Sequence, residues 1–182
     1  MARLNPHAPG RLTTTRGSFQ MFAIRRAIQE DREAIWRVHG RAIRETCASH
    51  YPPEVIQIWA GGLRADKYAE AIERYEFFVA EEDGEVVGFG ELGPEAGEIQ
   101  GLYVSPDVGG RGVGWKLLCT LEETARAHGL GSLRLTASLN AVAFYERAGY
   151  SPAGELTKTL APGVERASVR MFKALPRRGG AA

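Results

Sequence analysis

A chain of 182 residues, 44% hydrophobic and 25% charged, has the size and composition of one globular domain with a sizeable core. With 23 basic and 22 acidic residues its net charge is +1, so no global field recruits nucleic acid or an anionic membrane. Two cysteines, Cys47 and Cys119, are too few for a disulfide framework and lack metal-ligand spacing, and no apolar run is long enough for a membrane span; the expectation is a cytoplasmic protein without a metal.

Residues 1–20 carry Arg3, Arg11, Arg16, Pro6, Pro9 and a threonine run without an acidic residue. The prolines oppose an amphipathic targeting helix, so a disordered extension is expected there. The domain is expected over 21–175 and a frayed tail over 176–182. Residues 22–26 read as a first strand. The helical spacing of Ile35, Val38, Ala42 and Ile43 predicts a helix over 31–46, ended by Tyr51-Pro52-Pro53. A second helical region runs over 54–74, interrupted at Gly61-Gly62. Strands over 77–80 and 85–91 flank Asp83-Gly84, a hairpin signal. A third strand covers 98–104. Val113, Leu117, Leu118, Leu121 and Ala125 form one helical stripe, with Gly129 as its C-terminal cap. A strand over 133–136, a short helix over 141–148 stopped by Gly149, and strands over 155–160 and 166–173 complete a mixed α/β order.

Between the 98–104 strand and the long helix lies Gly109-Gly110-Arg111-Gly112-Val113-Gly114. A glycine-rich turn that opens a helix aims bare N–H groups at one point, at the positive end of the helix dipole. That is an anion cradle suited to phosphate. A nucleoside-triphosphate loop needs Gly-Lys-Ser/Thr at its end, but Trp115, Lys116 and Leu117 follow Gly114. A dinucleotide fingerprint fails as well, because its last glycine would fall on Trp115 or Leu117.

Gly112-Val113-Gly114 resembles the second half of the (Arg/Gln)-x-x-Gly-x-(Gly/Ala) acetyl-CoA loop of the GCN5-related N-acetyltransferases. The strand Glu98–Asp107 before it and the later run Ala137–Tyr150, with Asn140, Phe144, Tyr145 and Gly149, are similar to that family's motifs in order and separation. The resemblance covers about residues 22–175. It implies the acyl-CoA N-acyltransferase fold, a central mixed sheet flanked by helices, and transfer of acetyl from acetyl-CoA to a primary amine of a small molecule or exposed peptide. By resemblance, Gly109 to Gly114 hold the pyrophosphate, Leu102, Tyr103 and Val104 align the pantetheine arm, and the Leu102 amide meets the thioester carbonyl. Glu98 stands where several members carry a glutamate base, with Glu91 as an alternative. Tyr145 matches the tyrosine that meets the departing thiolate, and Asn140 contacts the coenzyme arm while capping the next helix. Gly109 departs from the pattern, and its role is expected to pass to backbone amides, with Arg111 supplying charge. Glu91, Glu95 and Glu98 lean toward a cationic acceptor. Neither nucleic acid nor membrane is expected as a partner; dimers are common among family members, so a homodimer stays open. The alternative is a non-catalytic acyl-CoA-binding regulatory module.

Overall fold

A computed structural model of the chain describes residues 22–176. The two termini expected to be disordered, 1–20 and 176–182, lie outside the described residues except for Pro176. The sheet has seven strands in the order β1-β2-β3-β4-β5-β7-β6. They are β1 (Ala23–Arg26), β2 (Glu76–Glu82), β3 (Glu85–Gly93), β4 (Glu98–Val104), β5 (Ser132–Ser138), β6 (Ser151–Ala161) and β7 (Val164–Ala174). The helices are α1 (Arg32–Arg41), α2 (Pro53–Gly61), α3 (Asp66–Arg74), α4 (Val113–Ala127) and α5 (Val142–Arg147).

All strand pairs are antiparallel except β4 with β5. The two faces bury different helices, and the alternation along β2 shows how. Phe77 and Val79 pack with Ile35 and Val38 of α1 and Tyr68 of α3. Phe78 and Ala80 turn the other way, toward Val113 and Leu117 of α4. The predicted stripe of α4 is the buried one: Leu117, Leu121 and Ala125 have no exposed surface. Burying each leucine is worth about 1.5–3 kcal/mol. Gly129 ends α4 in a left-handed turn, where Leu130 N–H bonds Ala125 O at 3.0 Å and Gly129 N–H bonds Arg126 O at 2.9 Å.

The helical segments differ from the expectation at the end of the first helix and at Asn140. The predicted 31–46 helix is α-helical only to Arg41 and closes as a π-helical turn over Ala42–Thr46. Arg44 folds back over the bare Cα of Gly40, with Nη1 2.8 Å from where a Cβ would lie. The Gly61-Gly62 interruption separates two distinct helices, α2 and α3. Asn140 caps nothing: α5 starts one residue later, and neither it nor the 3-10 turn before it has a side-chain cap bond.

Candidate active site

β4 and β5 pair at only two positions, Glu98↔Arg134 and Ile99↔Leu135, and then separate. The opening is a narrow cleft of about 40 Å³ lined by Gly101, Leu102 and Tyr103 on one side and Thr136, Ala137 and Ser138 on the other. A bulge in β4 prepares it: Glu91 pairs with Gly101 and Leu92 with Ile99, leaving Gln100 as the extra residue. The bulge reverses the facing of the rest of β4, so that Ile99 and Leu102 both pack toward α4. Ser105 N–H bonds Val87 O on β3 at 2.8 Å. Because N–H groups alternate edges along a strand, those of Leu102 and Val104 face the open edge toward β5. Leu102 therefore offers a bare backbone donor to the cleft.

The glycine loop closes one end. Gly110 and Gly112 adopt φ of 74° and 84°, and Gly112 is the N-cap of α4. A side chain at either position is strained, since left-handed backbone costs an L-residue roughly 1–2 kcal/mol. Gly114 is different: a Cβ there would meet Val104, Phe144 and Leu102 at 3.5–3.8 Å, ordinary contact that agrees with a Gly/Ala position. At Gly109 a Cβ would crowd Pro106 O at 3.2 Å. Arg111 is committed to the protein, since its guanidinium grips the buried Glu82 carboxylate in a two-pronged pair, with Nη1 to Oε2 at 2.9 Å. It fastens the loop to the end of β2.

Tyr145 lines the cleft from α5 and is 6% exposed. Its height is fixed by Gly149, whose left-handed turn lets Tyr150 N–H bond Tyr145 O at 3.0 Å. Burial raises the Tyr145 phenol above its ordinary value, so it keeps its proton. Nearby, the Asn140 Oδ1 is buried without a hydrogen-bond partner. A buried acceptor left open costs about 1–3 kcal/mol, and a ligand N–H would repay it. Open β4 edge, glycine cradle and unpaired Asn140 fit an extended amide-bearing chain that ends in phosphate.

The opposite face of the sheet carries the titratable groups. Glu91 lies over Gly101, its Oε1 2.8 Å from where a Cβ would sit, so a side chain there would push the carboxyl aside. Desolvation lifts its carboxyl from 4.5 to about 7. Tyr103 stacks on His39 with ring centroids 3.8 Å apart, and His39 Nδ1 meets the Tyr68 hydroxyl at 2.8 Å. Burial, with a smaller contribution from the Arg166 charge, pushes His39 down to about 3. Glu98 instead stands at the paired end of β4, where Arg134 Nε reaches it at 3.4 Å. Glu95, on the surface turn, lines a pocket with Arg134. The three glutamates thus do not form one acidic patch. Tyr51 ties α2 to the sheet: it donates to Ala167 O and accepts from Leu139 N–H, both at 2.8 Å. Arg166 and Tyr68 gave no signal in the sequence, being single polar residues in ordinary alternating or helical patterns.

Fold and cleft together define the class, that of the GCN5-related N-acetyltransferases. A family model described as "Acetyltransferase (GNAT) domain" matches residues 47–159, and the chain belongs to that family. A GCN5-related N-acetyltransferase from Rhodopseudomonas palustris is 32% identical, with a TM-score of 0.79 over 85% of this chain and 96% of that one. The PaiA N-acetyltransferase of Thermoplasma acidophilum, solved in complex with coenzyme A, is 25% identical, with a TM-score of 0.72 over 85% and 99%. An IAA acetyltransferase of Azospirillum brasilense is 33% identical over 85 residues, 43% of this chain. The match spans about half of that relative, 56% of its length. Among the described residues no helix is long and apolar enough to cross a membrane.

Proposed function

We propose that the protein moves the acetyl group of acetyl-CoA to a primary amine of a small molecule or exposed peptide by direct attack in a ternary complex. The observation that carries this reading is the Glu91 carboxyl, lifted to about 7 and seated over Gly101 beside the open β4 edge. A protonated alkyl amine, with an ordinary pKa near ~10, must lose a proton before it attacks. A base poised near neutrality can take that proton, directly or through water. Glu91 suits this role better than Glu98, whose carboxylate is held by Arg134.

Acetyl-CoA supplies the activated acyl thioester. The amides of Gly110, Gly112, Val113 and Gly114 at the start of α4 bind its pyrophosphate, since those of Gly109 and Arg111 already donate to Pro106 O and Val108 O, and Arg111 keeps the loop in shape through Glu82. Leu102, Tyr103 and Val104 align the pantetheine arm, with Asn140 Oδ1 accepting one of its N–H groups. The Leu102 N–H stabilises the negative charge that develops on the carbonyl oxygen. A C–N bond forms as the C–S bond breaks, and the Tyr145 hydroxyl donates a hydrogen bond to the departing sulfur. With its phenol raised by burial, Tyr145 stabilises thiolate by that bond, and the sulfur takes its proton late or from solvent. The test is a panel of amines with free-thiol release as readout, beside calorimetry of acetyl-CoA. Thiol release that depends on amine supports the reading. Coenzyme binding without release from any amine points to the regulatory module instead.

A further inference from the structure

β7 brings an arginine to the face of the sheet opposite α4. Val164, Arg166 and Ser168 alternate inward along that strand, while Glu165 and Ala167 are exposed. Val164 packs beside Trp59 and Tyr103 in the cluster beneath α2. The Arg166 guanidinium lies over Trp59, 4.3 Å from the ring centroid, and Trp59 is braced edge-on by Tyr51 at 5.6 Å. Its Nε is buried without a hydrogen-bond partner, and among the described residues no carboxylate pairs with it. Arg166 stands two residues from Ser168, whose strand partner Ser138 lines the cleft.

A second donor shares this wall. With Tyr68 donating to His39 Nδ1, the imidazole proton sits on Nε2, which is also buried and unpartnered. His39 rests on Tyr103, which lines the cleft, and the Arg166 charge reaches both rings. The unpaired N–H of Arg166, a permanent cation, leaves this side of the cleft short of an anionic acceptor, and the unpaired His39 Nε2 adds a second donor in the tautomer in which Tyr68 donates to Nδ1. Arginine presents a planar fork that matches a carboxylate, and stacking on Trp59 holds the fork before any ligand arrives.

We infer that Arg166, with His39 Nε2–H, receives a free carboxylate on the acceptor, so that the amine acetylated belongs to an amino acid or a similar amino carboxylate. This rests on the acetyl-transfer reading above and narrows its acceptor. It also reverses the leaning toward a cationic acceptor that the glutamates gave in the sequence.

The experiment uses matched acceptors that differ only at the carboxyl: glycine and glycinamide, β-alanine and its amide, L-phenylalanine and its amide. Thiol release is measured with the full chain and acetyl-CoA, and rates are expressed per free amine, because amidation lowers the amine pKa. For at least one pair the acid is preferred tenfold or more in kcat/KM. Arg166→Gln raises KM for that acid about tenfold to a hundredfold, the range expected for a lost charged hydrogen bond. It leaves kcat and the amide nearly unchanged, and Arg166→Lys restores part of the loss. Equal use of acid and amide in every pair, or an Arg166→Gln loss shared by both members, overturns the assignment while acetyl transfer stands. Absence of thiol release from every amine overturns acetyl transfer itself. Binding of N-acetylglycine, N-acetyl-β-alanine and N-acetyl-L-phenylalanine to the protein with coenzyme A, followed by calorimetry, then decides the carboxylate site. Binding that Arg166→Gln abolishes supports it, and no binding by any of the three overturns it.

Discussion

Glu91→Gln separates a catalytic carboxyl from a merely buried one. The folded protein holds the Glu91 proton up to about pH 7, whereas an unfolded chain releases it near 4.5. Below 4.5 both states are protonated and the carboxyl contributes nothing to the pH dependence. Between 4.5 and about 7 the folded state binds more protons, so stability falls as pH rises; above about 7 the loss is complete. Full expression of that displacement is worth about 3 kcal/mol at 1.36 kcal/mol per pKa unit. Glutamine carries no titrating group, so Glu91→Gln gains on the parent by up to about 3 kcal/mol at pH 8 and by nothing at pH 4. Urea denaturation at the two pH values measures this difference. Activity moves the opposite way: kcat/KM of the parent rises through an apparent pKa of about 7, and in Glu91→Gln that inflection vanishes with a loss of roughly 10²–10⁴ at pH 8. A stabilised variant that keeps the parent's pH–rate profile refutes Glu91 as base. A variant with the parent's stability at both pH values refutes the desolvation argument beneath it.

Tyr145→Phe is expected to lower kcat about tenfold or more at every pH, while calorimetric acetyl-CoA affinity stays within about twofold. Gly112→Ala should cost about 1–2 kcal/mol in urea denaturation and weaken acetyl-CoA, because it places a Cβ on a backbone at φ 84°. Gly114→Ala, whose Cβ meets only ordinary contacts, should stay within about 0.5 kcal/mol of the parent. Arg111→Ala should weaken acetyl-CoA as strongly as Glu82→Gln, with the double variant no worse than either, because both act by tethering the loop. Additive losses in that cycle would assign Arg111 a direct contact with phosphate.

What the sequence made legible was local. β4 was bounded correctly because its apolar pattern is framed by Gly97 and Pro106, and the α4 stripe because it repeats at helical spacing. The glycine loop declared itself by composition, and Tyr145 is a candidate through the resemblance of its run to the family's motif. Long-range arrangement was not legible. The bulge at Gln100 leaves no mark in composition, yet it sets which face Leu102 and Tyr103 occupy. The grip of Arg111 on Glu82 joins residues 29 apart, and an arginine in a phosphate loop reads as a phosphate ligand until its partner is known. The family resemblance puts Glu98 first as base and Glu91 second. Their difference is an Arg134 side chain brought in by the parallel pairing of β5. Arg166 and Trp59 meet only because α2 and the last hairpin pack on the same face, a contact no window of sequence contains.

The electrostatics of that face follow from one cause. Desolvation raises Glu91 toward 7 and depresses His39 to about 3, so near pH 6 the carboxyl is mostly protonated and the imidazole uncharged. Arg166 cannot neutralise itself in the same way, because guanidinium stays protonated even when buried. On this wall of Glu91, His39, Tyr68, Tyr103 and Arg166, the arginine is then the one charge that burial does not remove. An acceptor that enters as an ammonium alone meets that positive charge and a neutral carboxyl. An acceptor that also carries a carboxylate cancels the arginine, and its ammonium proton passes to Glu91 once that carboxyl has ionised, above about pH 7. Water displaced by such an acceptor strengthens both interactions, so the burial that raises the base also favours the proposed amino carboxylate.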